Sequence, residues 1–345
     1  MDKKKLITSL VFIIIVGAVI ISLTVSKKSY AVGTTLVDTV KALNKGSSWS
    51  AGARGVYYTN SHEYRYIGAE VNNYVKFNND LYRIIGVFDS NSHGVTGTEL
   101  VKLIRARSLG GYSWGAYNTD NSAGTYSGFA NDWTGKSKTS KANLNVLLNE
   151  YFYNKTDTSS TYGDCANWTY YEDSNDYKTK DCSYIITYGI DGSLRGYIET
   201  AIWYLYGSGT DKSKQNWYIC ERGGNSCTPS GPNQGAVSVT SKIGLMYLSD
   251  YLYASGYYSS TDTTENIFYS GNKNWLFKGF EWTITPNASN ANSVWVIQEG
   301  KATYDASIPL SGSRPTFYLK SSVYVTGGNG SFDNPYTIAC DNCTE

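Results

Sequence analysis

Gly111-Tyr112-Ser113-Trp114-Gly115 has the Gly-x-Ser-x-Gly spacing of a nucleophile elbow, in which a serine on a tight strand-to-helix turn is activated by a downstream acid and histidine. The chain has two histidines, His62 and His93, and both precede Ser113. Residues 118–124, NTDNSAG, stand where the helix should begin, so the stretch reads as a Gly-rich aromatic turn. Without a placed histidine, general acid–base work falls to carboxylates, and nothing in the sequence singles out a pair among the 29 Asp and Glu residues. A second candidate, residues 89–100, puts Asp89, Asn91 and Gly94 at the spacing of a helix-flanked calcium loop. Such a loop needs a bidentate acid at its twelfth position, but Leu100 stands there and Glu99 comes one residue early. Flanks that read as strands make it a hairpin connection. These readings assign no catalytic residue, no metal and no cofactor.

The six cysteines fall as three sequence-local pairs, Cys165 and Cys182, Cys220 and Cys227, Cys340 and Cys343. Of the fifteen connectivities that six cysteines allow, the three local disulfides are expected, in an oxidising compartment. Cys340-Asp341-Asn342-Cys343 also has the spacing of a redox centre, but such a centre opens a helix whose N-terminus lowers the thiol pKa, so a tail clasp is the expectation.

Export is written most plainly near the start. From Leu6 to Val25 runs an uncharged segment of 20 residues, long enough as a helix to cross a hydrocarbon core of about 30 Å. Lys3, Lys4 and Lys5 precede it, which places that end in the cytoplasm and the remainder outside. Ser29-Tyr30-Ala31 offers a competing signal-peptidase site, but the apolar stretch is longer than a signal core and Lys27 and Lys28 intervene. The expectation is a single-pass cell-membrane protein anchored through residues 6–25 with an extracellular C-terminal domain, or a secreted one if cleaved after Ala31.

A net charge of +1 and scattered basic residues argue against a nucleic-acid partner, which needs a basic face for phosphates. The 32 tyrosines and 34 glycines, set among Ser, Thr and Asn, are residues of recognition surfaces as well as of polar exported proteins. Trp114, Trp133 and Trp217, among Gly, Asn and Lys, are the candidates to stack on sugar rings, whereas Trp203 and Trp295 are core candidates.

Spacing predicts a stalk helix over residues 34–45 and a Gly/Ser linker over 46–55, then a hairpin of 74–77 and 81–88 and a strand at 99–105. Helices are expected over 141–152, 194–206 and 243–254, and strands over 281–285, 293–298, 302–305, 316–319 and 322–326. Strands first, helices in the middle and strands last give an α+β fold rather than alternating βαβ units. The expected division is 1–31 for the cytoplasmic lysines and membrane or signal segment, 32–60 for stalk and linker, and 61–345 for a single extracellular domain.

The series YVKFNNDLYRIIGVF (74–88), KIGLMYLSDYLYASG (242–256), EWTITP (281–286), GSRPTFYL (312–319) and NGSFDNPYTI (329–338) resembles a family of exported domains from gut Gram-positive anaerobes. That family shows aromatic-Arg-Ile-Ile-Gly early, then Ser-Asp, Trp-x-x-Ser-Pro and Gly-x-Arg-Pro in order. Thr285, Ser313 and Thr316 depart from it. The resemblance implies no activity. By analogy its layout is similar to a C-type-lectin-like fold, as in the formylglycine-generating-enzyme branch, which implies N- and C-terminal strands around a few helices. ITPNASNANSVW (284–295) resembles the sugar loop of calcium-dependent lectins, but Thr285 replaces its glutamate. Pro315 pushes Arg314 into an extended conformation, aimed either at an acid such as Glu281, Glu299 or Asp305 as a fold clamp, or at an anionic ligand. The expected function is a membrane-anchored, non-catalytic extracellular recognition domain for a glycan or protein ligand. A structural or assembly protein of the envelope is the alternative, and a carboxylate-based hydrolase the second.

Overall fold

The computed structural model describes residues 33–112, 114, 133, 144–155, 169–171, 177–179, 182–207, 213–224, 238–257, 273–287, 294–305 and 311–345. Two asparagines set its first register. Asn78 and Asn79 hold φ of 55° and 57°, the left-handed pair that a two-residue type I′ turn requires and that asparagine tolerates better than most residues. The turn lays Tyr74–Phe77 antiparallel to Asp80–Phe88, with Phe77 opposite Asp80. Asp80–Phe88 then pairs with Leu100–Arg105, which pairs with Thr316–Leu319. The connection between Phe88 and Leu100 holds the short helix Ser90–His93, capped by Asp89, so the loop at 89–100 is the expected hairpin connection.

Gly86 sits where Tyr64–Ile67 crosses the same long strand. A Cβ there would lie 2.3 Å from the Tyr64 carbonyl oxygen, so only glycine allows the approach. Tyr64–Ile67 in turn carries Gly55–Tyr58, and Tyr336–Ala339 joins Tyr74–Phe77 in parallel, with Tyr324–Gly327 beyond it. These eight strands form one branched sheet. A second sheet of five runs Lys301–Asp305, Val294–Gln298, Glu281–Pro286, Ser311–Gly312 and Gly111–Tyr112. Strands early and late with short helices between them make the fold mixed α+β, dominated by strands.

The helix expected over residues 34–45 is Leu36–Ala42, but it does not stand apart as a stalk. Leu36, Val37 and Val40 are buried, Leu36 N–H donates to Val323 O at 2.9 Å and Val325 N–H to Thr34 O at 3.1 Å. Its apolar face needs cover and the sheet supplies it, and the linker expected at 46–55 runs into the edge strand Gly55–Tyr58. Thr34–Glu345 accordingly form one compact unit.

Residues 194–206 correct a second expectation. The helix is the single turn Gly192–Arg195, after which Ala201–Tyr204 is a strand paired with Ser238–Ser241. Ala201 and Trp203 point inward while Ile202 and Tyr204 are half-buried, a period of two. Its partner strand lies over 30 residues away, beyond the reach of local pattern. The helix expected over 141–152 is present as Leu144–Val146 continuing in π geometry through Leu147–Tyr153, and that over 243–254 is shortened to Leu248–Ala254. Lys214–Glu221 is an additional helix, capped by Ser213.

Cys340 and Cys343 form the expected tail disulfide, and Cys220 is disulfide-bonded. Its expected partner Cys227, with Cys165 and Ser113, lies outside the described residues, as do residues 6–25. Among the described residues no helix is long and apolar enough to cross a membrane.

Candidate functional site

The strands bring together in the interior ionisable side chains that lie far apart along the chain. Arg65 is the lone charge of the strand Tyr64–Ile67 and Lys102 sits mid-way along the largely apolar strand Leu100–Arg105, and both are fully buried. They meet at Asp250, in the first turn of Leu248–Ala254. Arg65 Nη1 donates to Asp250 Oδ1 at 2.9 Å, Lys102 Nζ to Oδ2 at 2.6 Å, and the Tyr247 N–H to Oδ2 at 2.9 Å. Arg65 Nε reaches back to Glu63 Oε2 at 2.8 Å.

A second carboxylate lies alongside. Glu221, closing Lys214–Glu221, accepts the Thr285 hydroxyl at 2.6 Å, the Ser249 N–H at 3.1 Å and the Ser249 hydroxyl. Arg222 lies over the Tyr218 ring at 3.7 Å and donates from Nε to Ser92 Oγ at 3.3 Å, while the Ser92 hydroxyl donates to Glu63. Three cations, Arg65, Lys102 and Arg222, thus face three carboxylates, Glu63, Asp250 and Glu221, and the network is neutral.

Burial tunes its members differently. For Asp250, burial alone would raise the carboxyl, but Lys102 and then Arg65 outweigh it and hold the group down to about 2. Lys102 shares that single carboxylate with Arg65 and sits among the rings of Phe88, Trp203, Tyr247 and Tyr318, so burial prevails and lowers its ammonium to about 8. Burial raises the Glu221 carboxyl, opposed by Arg222 and the two hydroxyls. His93 is a buried neutral ring: its Nδ1 accepts the Val95 N–H, its Nε2 faces Phe88 O, and burial lowers its pKa.

Chemically this network is a scaffold. The oxygens of Asp250 and Glu221 are held by protein donors, whereas a hydrolytic pair needs one acid protonated, one ionised and both facing substrate. Among the described residues no group of three or more His, Cys, Asp or Glu is placed to hold a metal ion.

The residues singled out from sequence fall elsewhere. Trp114 and Trp133 are buried with ring centroids 5.2 Å apart, and Trp114 lies 5.8 Å from Trp282. Trp217 is buried edge-on against Trp295 at 4.8 Å. Their polar sequence neighbours pointed outward, yet the large rings pack into the core, so none presents a face on which a sugar could stack. Trp282 and Trp295 occupy adjoining strands in alternate register, Trp282 opposite Val296, so the two clusters lie on opposite faces of the five-stranded sheet. Trp203 and Trp295 are in the core as expected.

Arg314 is a clamp. Its Nη2 donates to Glu281 Oε2 at 2.6 Å, and its Nε lies 2.5 Å from Glu281 Oε1 as an ion-pair contact without hydrogen-bond geometry, joining the two chain segments that carry EWTITP and GSRPTFYL. The same Nη2 donates to Leu276 O at 2.5 Å. Beside it Arg83, which no motif marked as functional, donates to Asn73 Oδ1 at 2.7 Å, Trp275 O at 2.9 Å and Val71 O at 3.3 Å, its guanidinium between the Tyr74 and Trp275 rings. Burial lowers Arg83 to about 10, with Arg314 adding to the effect, and burial raises the Glu281 carboxyl against Arg314. The available sequence signal was a basic residue set among apolar neighbours in the strands of Arg65, Lys102 and Arg83.

Comparison with protein-family models, curated proteins and solved structures finds no match to the chain.

Proposed function

We propose that the protein is a membrane-anchored, extracellular recognition domain, non-catalytic, that binds glycans or proteins at the cell surface. The observation that carries this reading is the closed Glu63–Arg65–Asp250–Lys102 network: the interior acids are consumed in holding strands and helix together, which suits a rigid display scaffold. The anchor is the uncharged segment 6–25 behind Lys3, Lys4 and Lys5, and residues 32–345 form the exported part. The resemblance to exported domains of gut anaerobes, and the analogy to lectin-like folds that display variable loops on paired terminal strands, support the same reading. The Cys340–Cys343 disulfide agrees with an oxidising compartment.

With Trp114, Trp133 and Trp217 inside, the contact surface belongs to exposed aromatics, of which Phe332 at 59% and Phe280 at 47% are the most open among the described residues. Full-length protein in detergent, applied to glycan and mucin arrays with and without chelator, tests the reading. Saturable binding weakened by Phe332→Ala or Phe280→Ser supports it. Silence on the arrays, with concentration-dependent self-association lost in the same variants, moves the assignment to an envelope assembly protein.

A further inference from the structure

The network around Asp250 is neutral, but the one around Arg314 is not. Arg83 and Arg314 donate to consecutive carbonyls of the 273–280 segment, Trp275 O and Leu276 O. Every hydrogen-bond acceptor of Arg83 is uncharged, and Arg314 has one carboxylate, Glu281. Arg314 Nη1 is buried with no hydrogen-bond acceptor, and Nε has only the ion-pair contact with Glu281 Oε1. Lys278, two residues past Leu276, carries an exposed side chain whose partial burial, and then the fields of Arg83 and Arg314, lower its pKa. Among the described residues three cations therefore stand against one carboxylate, a net +2. A clamp on two carbonyls needs donors and not charge, and uncompensated buried charge is costly unless a counter-charge comes to it. Low-dielectric walls leave such a field unscreened until it emerges at the surface, here at Lys278 and the exposed ring of Phe280.

Resting on the recognition reading above, we propose that the surface over residues 277–280 is an anion subsite that takes the carboxylate or sulfate group of an acidic glycan, with Lys278 as its direct contact. Phe280 offers the sugar ring an apolar face, and Arg83 and Arg314 act from beneath as fixed positive charge. Glu281 is the only acid in the group, and its two oxygens are turned to Arg314.

The test is titration calorimetry on the full-length protein in detergent at constant ionic strength, with sulfate, glucuronate and N-acetylneuraminate as probes and glucose as the neutral control. Saturable binding of the acidic sugars is expected, about tenfold weaker in Lys278→Glu, the order of one charge-assisted contact. Phe280→Ser should weaken the sugars and leave sulfate unchanged. Both positions are exposed, and an unchanged melting curve verifies each variant's fold. Binding of sulfate without the sugar acids overturns the glycan assignment in favour of a free inorganic anion. No binding by folded protein, or equal binding in Lys278→Glu, overturns the subsite. Arrays that bind only neutral glycans overturn the subsite while leaving the recognition reading in place, whereas positive titrations with silent arrays uphold the subsite and sink that reading.

Discussion

Lys102 Nζ lies 2.6 Å from Asp250 Oδ2, and the two side chains, 148 residues apart in sequence, are both fully shielded from solvent. Asp250 also answers to Arg65, so the two ends of the contact are not equivalent. Asp250→Asn strips the carboxylate charge from two buried cations, while Lys102→Met leaves Asp250 paired with Arg65 and the Tyr247 N–H. Breaking a buried pair from one side costs about 3–5 kcal/mol. Asp250→Asn is expected in or above that range and Lys102→Met below it, read from urea midpoints at unchanged m. Equal losses would show that Arg65 does not share the carboxylate.

Acid and base act on the network with opposite signs. Asp250 is depressed in the folded state, so its stabilisation is complete above the ordinary aspartate pKa and is lost as pH falls through about 2. Glu221 is raised, so its contribution is complete below the ordinary glutamate pKa and fades as pH climbs through the folded value. Melting temperatures from pH 3 upward should show Glu221→Gln gaining on the wild type as pH rises. A constant gap across that range would mean that Glu221 titrates as an ordinary surface acid.

Replacing Arg314 by lysine keeps the charge and discards the fork. Because the planar fork sets Nη2 on both Glu281 Oε2 and Leu276 O while holding Nε against Glu281 Oε1, Arg314→Lys should cost about 2–4 kcal/mol. Glu281→Gln leaves Arg314, Arg83 and Lys278 without a carboxylate and should destabilise at least as much. Thermal denaturation of both variants decides it; a lysine as stable as wild type would reduce the clamp to a simple charge contact.

Two glycines separate crowding from conformational freedom. Gly86→Ala drives a methyl into the Tyr64 carbonyl and should cost about 1–3 kcal/mol or more. Gly192, in the turn Gly192–Arg195, has open space around its Cβ position and no positive φ, so Gly192→Ala should be neutral or stabilise by about 0.5–1 kcal/mol. Chemical denaturation of the pair gives both signs in one experiment, and a neutral Gly86→Ala would mean that Tyr64–Ile67 does not need its approach to Asp80–Phe88.

What the sequence determined by itself was local. The Asn78–Asn79 turn, the hairpin it closes, the Leu100–Arg105 strand and the late strands Glu281–Pro286, Val294–Gln298, Lys301–Asp305, Thr316–Leu319 and Tyr324–Gly327 were legible because turn chemistry and two-residue alternation are properties of neighbours. The alternative of Arg314 as clamp was legible too, since Pro315 fixes its direction and Glu281 stood among its candidate partners. Tertiary structure alone decided that Ala201–Tyr204 is a strand, since Ser238–Ser241 had to arrive beside it. It turned Trp114, Trp133 and Trp217 inward despite polar neighbours, because ring burial depends on what packs from across the chain. It also chose, among 30 basic and 29 acidic residues, which few meet in the dark: Arg65 finds Asp250 across 185 positions, and Coulomb attraction in a low dielectric is set by distance in space.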